Sequence, residues 1–287
     1  MNPAQSSDGP PPSSLELERR AFRRRQSVSS VLIGAASTLV FGVLVWVFVV
    51  NTPGWALVQE RFFDVDTAIA AFPRVAEGFL VNLRILAFAV VGVAVLSTLL
   101  AFLRTLRGPV FFPLRVLATA YTDVFRGIPL IIVIYVIGFG IPGLLQTRIS
   151  TELLGTIALI VTYSAYVSEV IRAGIEGVHP SQRMGARALG LTHGQTLRMV
   201  VLPQAIRRQA PPLMNDFVAM QKDVGLVSIL GVVDAVRGAQ IETAKFAEHT
   251  PYIVAAVLFV LLAIPTIRLT DWISARLRRR EQMGAIV

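Results

Sequence analysis

Four ionisable residues stand inside long apolar stretches of this sequence: Glu169, Asp216, Lys222 and Asp223. Facing lipid, each would cost several kcal/mol, so each is expected to face a bundle interior, a cavity or one another. Arg126 and Asn215 join them as candidate interior polar groups. Two roles stay open for Lys222 and Asp223, namely an ion pair that locks helix packing and the border of a path for a polar solute. Catalysis finds no support in the residue types. The three histidines (His179, His193 and His249) are scattered without metal-ligand spacing. No Gly-x-Ser-x-Gly elbow and no His-Glu-x-x-His pair occurs, and acidic pairs of the type that hold magnesium against a lipid phosphate are missing. The absence of a Gly-x-x-x-x-Gly-Lys-Ser/Thr loop removes a Walker-type ATP site. With no cysteine, disulfides, thiolate metal sites and a cysteine nucleophile are excluded. The chain is read as a non-enzyme that binds no cofactor or metal of its own.

The elements that must position these groups are membrane helices. Of 287 residues, 54% are hydrophobic and 16% charged, whereas soluble domains carry about 25% charged residues. The net charge of +9 comes from arginines that flank apolar runs, which fits membrane topology better than nucleic-acid binding. Residues 1–28 are rich in Pro, Ser and Arg and are expected to form a disordered cytoplasmic tail. Arg19-Arg20-Ala21-Phe22 is weakly similar to a twin-arginine export signal. The apolar run after it is too long for a signal peptide and lacks a small-x-small cleavage site.

Residues 29–50 contain no charge and are long enough to cross a hydrocarbon core of about 30 Å as an N-terminal anchor. Residues 51–77 form an acidic-leaning external segment with an interfacial helix. Further crossings are expected at about 80–103, 130–145, 152–171, 211–233 and 251–269, with an amphipathic stretch at 112–125 on the inner interface. Arg84, near the outer end of the second crossing, either snorkels to headgroups or contacts an anionic group. Arginine-rich segments (the N-terminal tail, 104–115, 172–209 and the 271–287 tail) all fall on one side, so both termini are placed in the cytoplasm.

The 172–209 loop carries Arg172, Arg183, Arg187, Arg198, Arg207 and Arg208 against the single acid Glu176. Residues 181–189 and 194–201 have helical composition and are separated by Gly190-Leu191-Thr192-His193. Ala186, Leu189, Leu197, Val200 and Val201 can supply one apolar side. Small residues at Gly185, Ala186, Ala188 and Gly190 allow close approach of another protein. By itself the loop reads equally as a solvated basic helix pair.

Spacing narrows the reading. Met184-Gly185-Ala186, then Gly190, then Val200-Val201-Leu202-Pro203 resembles the EAA loop of ABC-importer permeases. Further words place the resemblance in the polar amino-acid branch: Phe125-Arg126-Gly127-Ile128-Pro129-Leu130, Ala165-Tyr166-Val167-Ser168-Glu169, Ala186-Arg187-Ala188-Leu189-Gly190-Leu191, Leu202-Pro203-Gln204-Ala205 and Lys222-Asp223-Val224-Gly225-Leu226-Val227-Ser228. The resemblance spans residues 78–270 and implies an all-α integral membrane bundle of about six helices, the type I importer permease fold with an extra N-terminal helix. It implies ATPase coupling through Met184, Gly185, Ala186, Arg187, Gly190, Leu202 and Pro203. The implied partners are ATP-binding subunits that consume ATP-Mg, an extracytoplasmic binding protein, a second or paralogous permease, and membrane lipid; nucleic acid is not among them. The implied location is the bacterial cytoplasmic membrane. Two departures stand out. Met184-Gly185 replaces the acid and first alanine of the loop, and Val224-Gly225 stands where hydroxyl residues are usual. A permease for another small solute, and a non-transport membrane scaffold, are the competing readings.

Overall fold

The computed structural model describes residues 14–106 and 108–284. Two compact units divide at residue 60. In the first, α1 (Ser14–Val45) runs into a π-helical turn, Trp46–Val50, closed where Asn51 N donates to Trp46 O at 2.8 Å. Its charge-free part, Ser29–Val50, is long and apolar enough to cross a membrane, and its residues are exposed. Residues 1–13 of the expected disordered tail lie outside the described residues. The remainder is helical, which corrects the expectation for 14–28. Leu, Glu, Arg and Ala dominate residues 15–25, and all four favour helix.

After α2 (Trp55–Phe62), the bundle is built on α3 (Val65–Thr105) and α6 (Thr151–Glu176), its most extensively packed pair. The external segment expected at 51–77 is shorter than its composition suggests, because α3 begins at Val65. Asp64 caps it by accepting from Thr67 N at 2.6 Å. Arg74 and Glu77, expected in the external segment, are exposed residues of this helix, and Pro73 lies within it. The central core joins Ile85, Leu86, Ala89 and Val93 of α3 to Leu159 and Tyr163 of α6 and to Met220, Val224 and Val227.

The amphipathic stretch becomes α4 (Phe112–Gly127), which packs on α3 and α6, with Tyr121 Oη donating to Val161 O at 2.8 Å. At Ile128-Pro129 the chain bends by 109° into α5 (Leu130–Leu145). Pro129 fixes its own φ and disfavours helix at Ile128, so the break falls there. Beyond α6 come α7 (Pro180–Ala188) and α8 (His193–Thr196), a π-helical turn Leu197–Val201, and α9 (Leu202–Asp223). The chain then narrows to a 3-10 helix, Val224–Leu230.

The mixed-charge outer loop is instead α10 (Ala235–Phe246), bent 55° from the preceding segment. Asp234 starts it, accepting from Arg237 N at 2.9 Å. Ala235, Gly238, Ala239 and Glu242 face inward on successive turns, while Arg237 and Lys245 stay exposed. Ala235 and Ala239 pack against Ala71 and Val75 of α3, and small residues let the backbones approach closely. At Gly78 a Cβ would sit 2.4 Å from the Asp234 carbonyl carbon. The last helix, α11 (Thr250–Gly284), carries the basic tail as its continuation. Among the described residues four helices are long and apolar enough to cross a membrane, or up to six spans if each bent pair counts as one.

Candidate functional site

The arginine-rich loop folds into a compact helical hairpin. His179 caps α7, its Nδ1 accepting from Ser181 N at 3.3 Å, and Pro180 supplies a pre-set φ at the first position. Gly190 ends the turn with φ of +82°, a conformation that costs side-chain-bearing residues free energy. Thr192 and Gln195 form a reciprocal capping box that starts α8. Helix then continues through the π turn and α9 to Asp223, so Leu202-Pro203 lies inside a rod rather than at a loop end. Within the expected loop of 172–209, α6 reaches Glu176 and helix resumes at Pro180 and again at His193.

The seven expected coupling residues divide in two. Ala186 is buried, and Leu202 is half-buried against the cluster of Ile175, Val178, Val201 and Ala205. Met184, Gly185, Arg187, Gly190 and Pro203 are exposed, and nothing lies within 4 Å of a Cβ placed on Gly185 or Gly190. Leu189 does not join the apolar side, being 84% exposed. Met184 and Leu189 are thus uncovered apolar side chains of the hairpin, and Arg187 is exposed as well.

Glu169 stands at the arginine-rich end of α6 rather than deep in the bundle. Arg104 Nη1 donates to its Oε2 at 2.6 Å, and Arg172 also pairs with it. Arg172 pairs in turn with Glu176 at 2.5 Å, one helical turn on. The cluster ties the end of α3 to the end of α6, beneath the hairpin. Arg183 and Arg208 add to this support, donating to the carbonyls of Ile175 and Gly177.

The remaining interior candidates sit on α4 and α9. Asp223 accepts from Tyr163 Oη of α6 at 2.7 Å. The pair expected between Lys222 and Asp223 does not form: neighbours on a helix point about 100° apart, and Lys222 is exposed with no ion pair among the described residues. Asp216 is half-buried, and its Oδ2 is buried without a hydrogen-bond partner among the described residues. Asn215 and the Arg126 side chain are exposed, while the Arg126 carbonyl accepts from Tyr166 Oη at 3.2 Å. Tyr163 and Tyr166 lie 6.3 Å apart between centroids, which links the α4 end to the α9 end. Arg84, midway along α3, makes a 2.6 Å salt bridge with Glu152 near the start of α6.

Two polar groups escaped the sequence reading. Asn82 is 1% exposed and Asp234 fully buried. Asn82 Nδ2 donates to Asp234 Oδ2 at 2.9 Å, and Asn82 Oδ1 accepts from Ala235 N at 3.0 Å. The signal was present, because a lone amide in a long apolar helix needs a partner. The role of Tyr163 carried no such signal, since tyrosine is common in membrane helices.

Residues 108–279 match the family described as binding-protein-dependent transport system inner membrane component. The arginine transport system permease protein ArtQ of Bacillus subtilis is 31% identical over 202 residues, covering 70% of this chain and 91% of that protein. The glutamate/aspartate import permease protein GltK of Escherichia coli is 33% identical over 209 residues, covering 67% and 92%. A crystal structure of an amino acid ABC transporter with histidines superposes with a TM-score of 0.68 at 30% identity, covering 74% of this chain and 98% of that one. The inward-facing MetNI methionine ABC transporter shares the fold at 20% identity, with a TM-score of 0.52. The chain belongs to the family of binding-protein-dependent transport system inner membrane components.

Proposed function

We propose that the chain is the permease subunit of an ATP-driven ABC importer that carries a polar amino acid across the bacterial cytoplasmic membrane. One observation carries the reading: the exposed hairpin is continuous with the helix that bears the interior polar groups. From His193 to Asp223 the helix spans roughly 45 Å at 1.5 Å per residue. α7 packs against the π turn of this helix, so a push on α7 is passed toward Asn215, Asp216 and Lys222 along the helix, with Pro211 and Pro212 as the points where it can bend. The uncovered face of Met184, Gly185, Arg187 and Leu189 is the docking surface for an ATP-binding subunit. ATP-Mg is held and hydrolysed there, in the partner, and this chain needs no cofactor of its own. Closure of two such subunits would shift the bundle between outward and inward openings that contact the solute differently.

Arg126, Asn215 and Lys222 cannot face lipid at low cost. Their exposure supports a second permease, identical or paralogous, across a polar path, where the orphaned Asp216 oxygen would find its partner. An extracytoplasmic binding protein delivers the solute to the opposite end, and positive-inside logic puts both termini in the cytoplasm. The relatives' names cover cationic and anionic amino acids, which supports the solute class without choosing a member.

The docking surface is testable because the chain has no native cysteine. A single Gly185→Cys is expected to cross-link to a cysteine in the cleft of the co-expressed ATPase. Equal yield from Gly54→Cys, outside the hairpin, would count against docking at α7.

A further inference from the structure

The arginine-rich end of the bundle holds a cleft of about 370 Å³, whose walls include Arg104, Arg115, Glu176, Arg183, His193 and Leu197. We propose that this cleft binds the phosphate of an anionic phospholipid headgroup. Three guanidiniums are held in place by part of their donor set. Arg115 Nη1 donates to Leu106 O at 2.8 Å and Gly108 O at 3.0 Å, Arg104 Nη1 to Glu169, and Arg183 Nη2 to Ile175 O. A guanidinium carries five N–H groups, so each keeps donors in reserve. Arg183 Nε is buried and has no partner among the described residues. Among the described residues, the cleft and the ion-pair cluster adjoining it set four guanidiniums (Arg104, Arg115, Arg172 and Arg183) against two carboxylates, Glu169 and Glu176. A fixed, under-neutralised cluster of this kind suits phosphate oxygens, which accept several charge-assisted hydrogen bonds at once.

A lipid, rather than a soluble anion, is indicated by the rim. Val110, Phe111 and Phe112 follow the end of α3 and are 82%, 40% and 60% exposed. Arg115 lies 5.9 Å from the Phe112 ring centroid, so the apolar rim and the charged cleft are contiguous. Acyl chains lie along these side chains while the headgroup reaches the arginines, the usual arrangement for basic pockets at the end of membrane helices. The bound headgroup bridges α3 and α4 to Arg183 of α7 and His193 of α8. It thus steadies the hairpin in the presence of anionic lipid. That consequence for coupling rests on the function proposed above; the binding itself does not.

The test uses the purified full-length chain, delipidated in neutral detergent, and reads thermal unfolding. Dihexanoyl-phosphatidylglycerol near saturation is expected to raise Tm by about 5 °C. Dihexanoyl-phosphatidylcholine and sodium phosphate at matched concentration should not. Arg115→Gln with Arg183→Gln should abolish the response, while Arg198→Gln, an exposed arginine outside the cleft, should retain it. An equal shift with phosphatidylcholine or with phosphate alone would overturn the lipid assignment, as would loss of the response in Arg198→Gln. The wild-type comparison decides the matter even if the double variant does not fold. No arm reads transport, so a negative result leaves the proposed function standing.

Discussion

Replacing Asn82 by Ala removes the polar clamp between α3 and the start of α10. In the native protein Asn82 gives one hydrogen bond to Asp234 Oδ2 at 2.9 Å and takes one from Ala235 N at 3.0 Å. Both partners are fully buried, so neither regains water when the amide is lost. Each orphaned group costs about 1–3 kcal/mol, which puts Asn82→Ala at about 3 kcal/mol. Asp234→Ala leaves the Asn82 amide N–H with only its longer hydrogen bond to Val224 O at 3.4 Å and also removes the cap on Arg237 N, a loss of about 1 kcal/mol by itself, for a similar total of about 3 kcal/mol. The double variant leaves no unpaired carboxylate opposite an unpaired amide. It should therefore cost about 4 kcal/mol rather than the sum of the two, an interaction energy of about 2 kcal/mol. SDS titration of the folded chain in mixed micelles measures all four corners of this cycle. Additivity within about 0.3 kcal/mol would show that the two side chains do not act on one another, and the clamp would be refuted.

The same junction should resist any added side chain. Gly78→Ala places a Cβ 2.4 Å from the Asp234 carbonyl, which only backbone movement relieves, and should cost about 1–3 kcal/mol in the same titration. Gly185→Trp should fold normally but fail to retain an ATPase subunit in pull-down, since nothing surrounds that position in the isolated chain. Gly190→Trp is a poorer probe, because its φ of +82° means the turn itself would be strained and the unfolding midpoint should fall as well. Tyr163→Phe removes the hydrogen bond to Asp223 with little change in volume. It should lower uptake several-fold while stability shifts by about 1 kcal/mol, and unchanged uptake would exclude Asp223 from the path.

Charge-free length made the apolar helix at Ser29–Val50 legible, and the periodicity of α7 and α8 was readable because their caps are local: His179, Gly190, Thr192 and Gln195 act within a turn of themselves. The words around Gly185 and Leu202 placed the chain in its family for the same reason. What composition misjudged were charged segments that remain helical. Arg74 and Glu77 belong to α3, and Arg237, Glu242 and Lys245 belong to α10, because helices that extend past an apolar core keep their periodicity while their exposed faces turn polar. Pairings across the bundle were out of reach. Glu169 meets Arg104 across 65 positions of sequence and Asn82 meets Asp234 across 152, and no local pattern encodes which distant partner a buried polar group finds. Lys222 and Asp223 illustrate the converse, where adjacency in sequence suggested a pair that helical geometry keeps apart.

The most direct test of the central claim is ATP-dependent uptake of a panel of radiolabelled amino acids, in cells with and without this gene and with its ATPase and binding protein present in both. Uptake of one polar amino acid, or a closely related set, should be lost with the gene and return with the wild-type chain but not with Gly185→Trp. Unchanged uptake across the panel, with the protein verified in the membrane and no paralogous permease expressed, would contradict it.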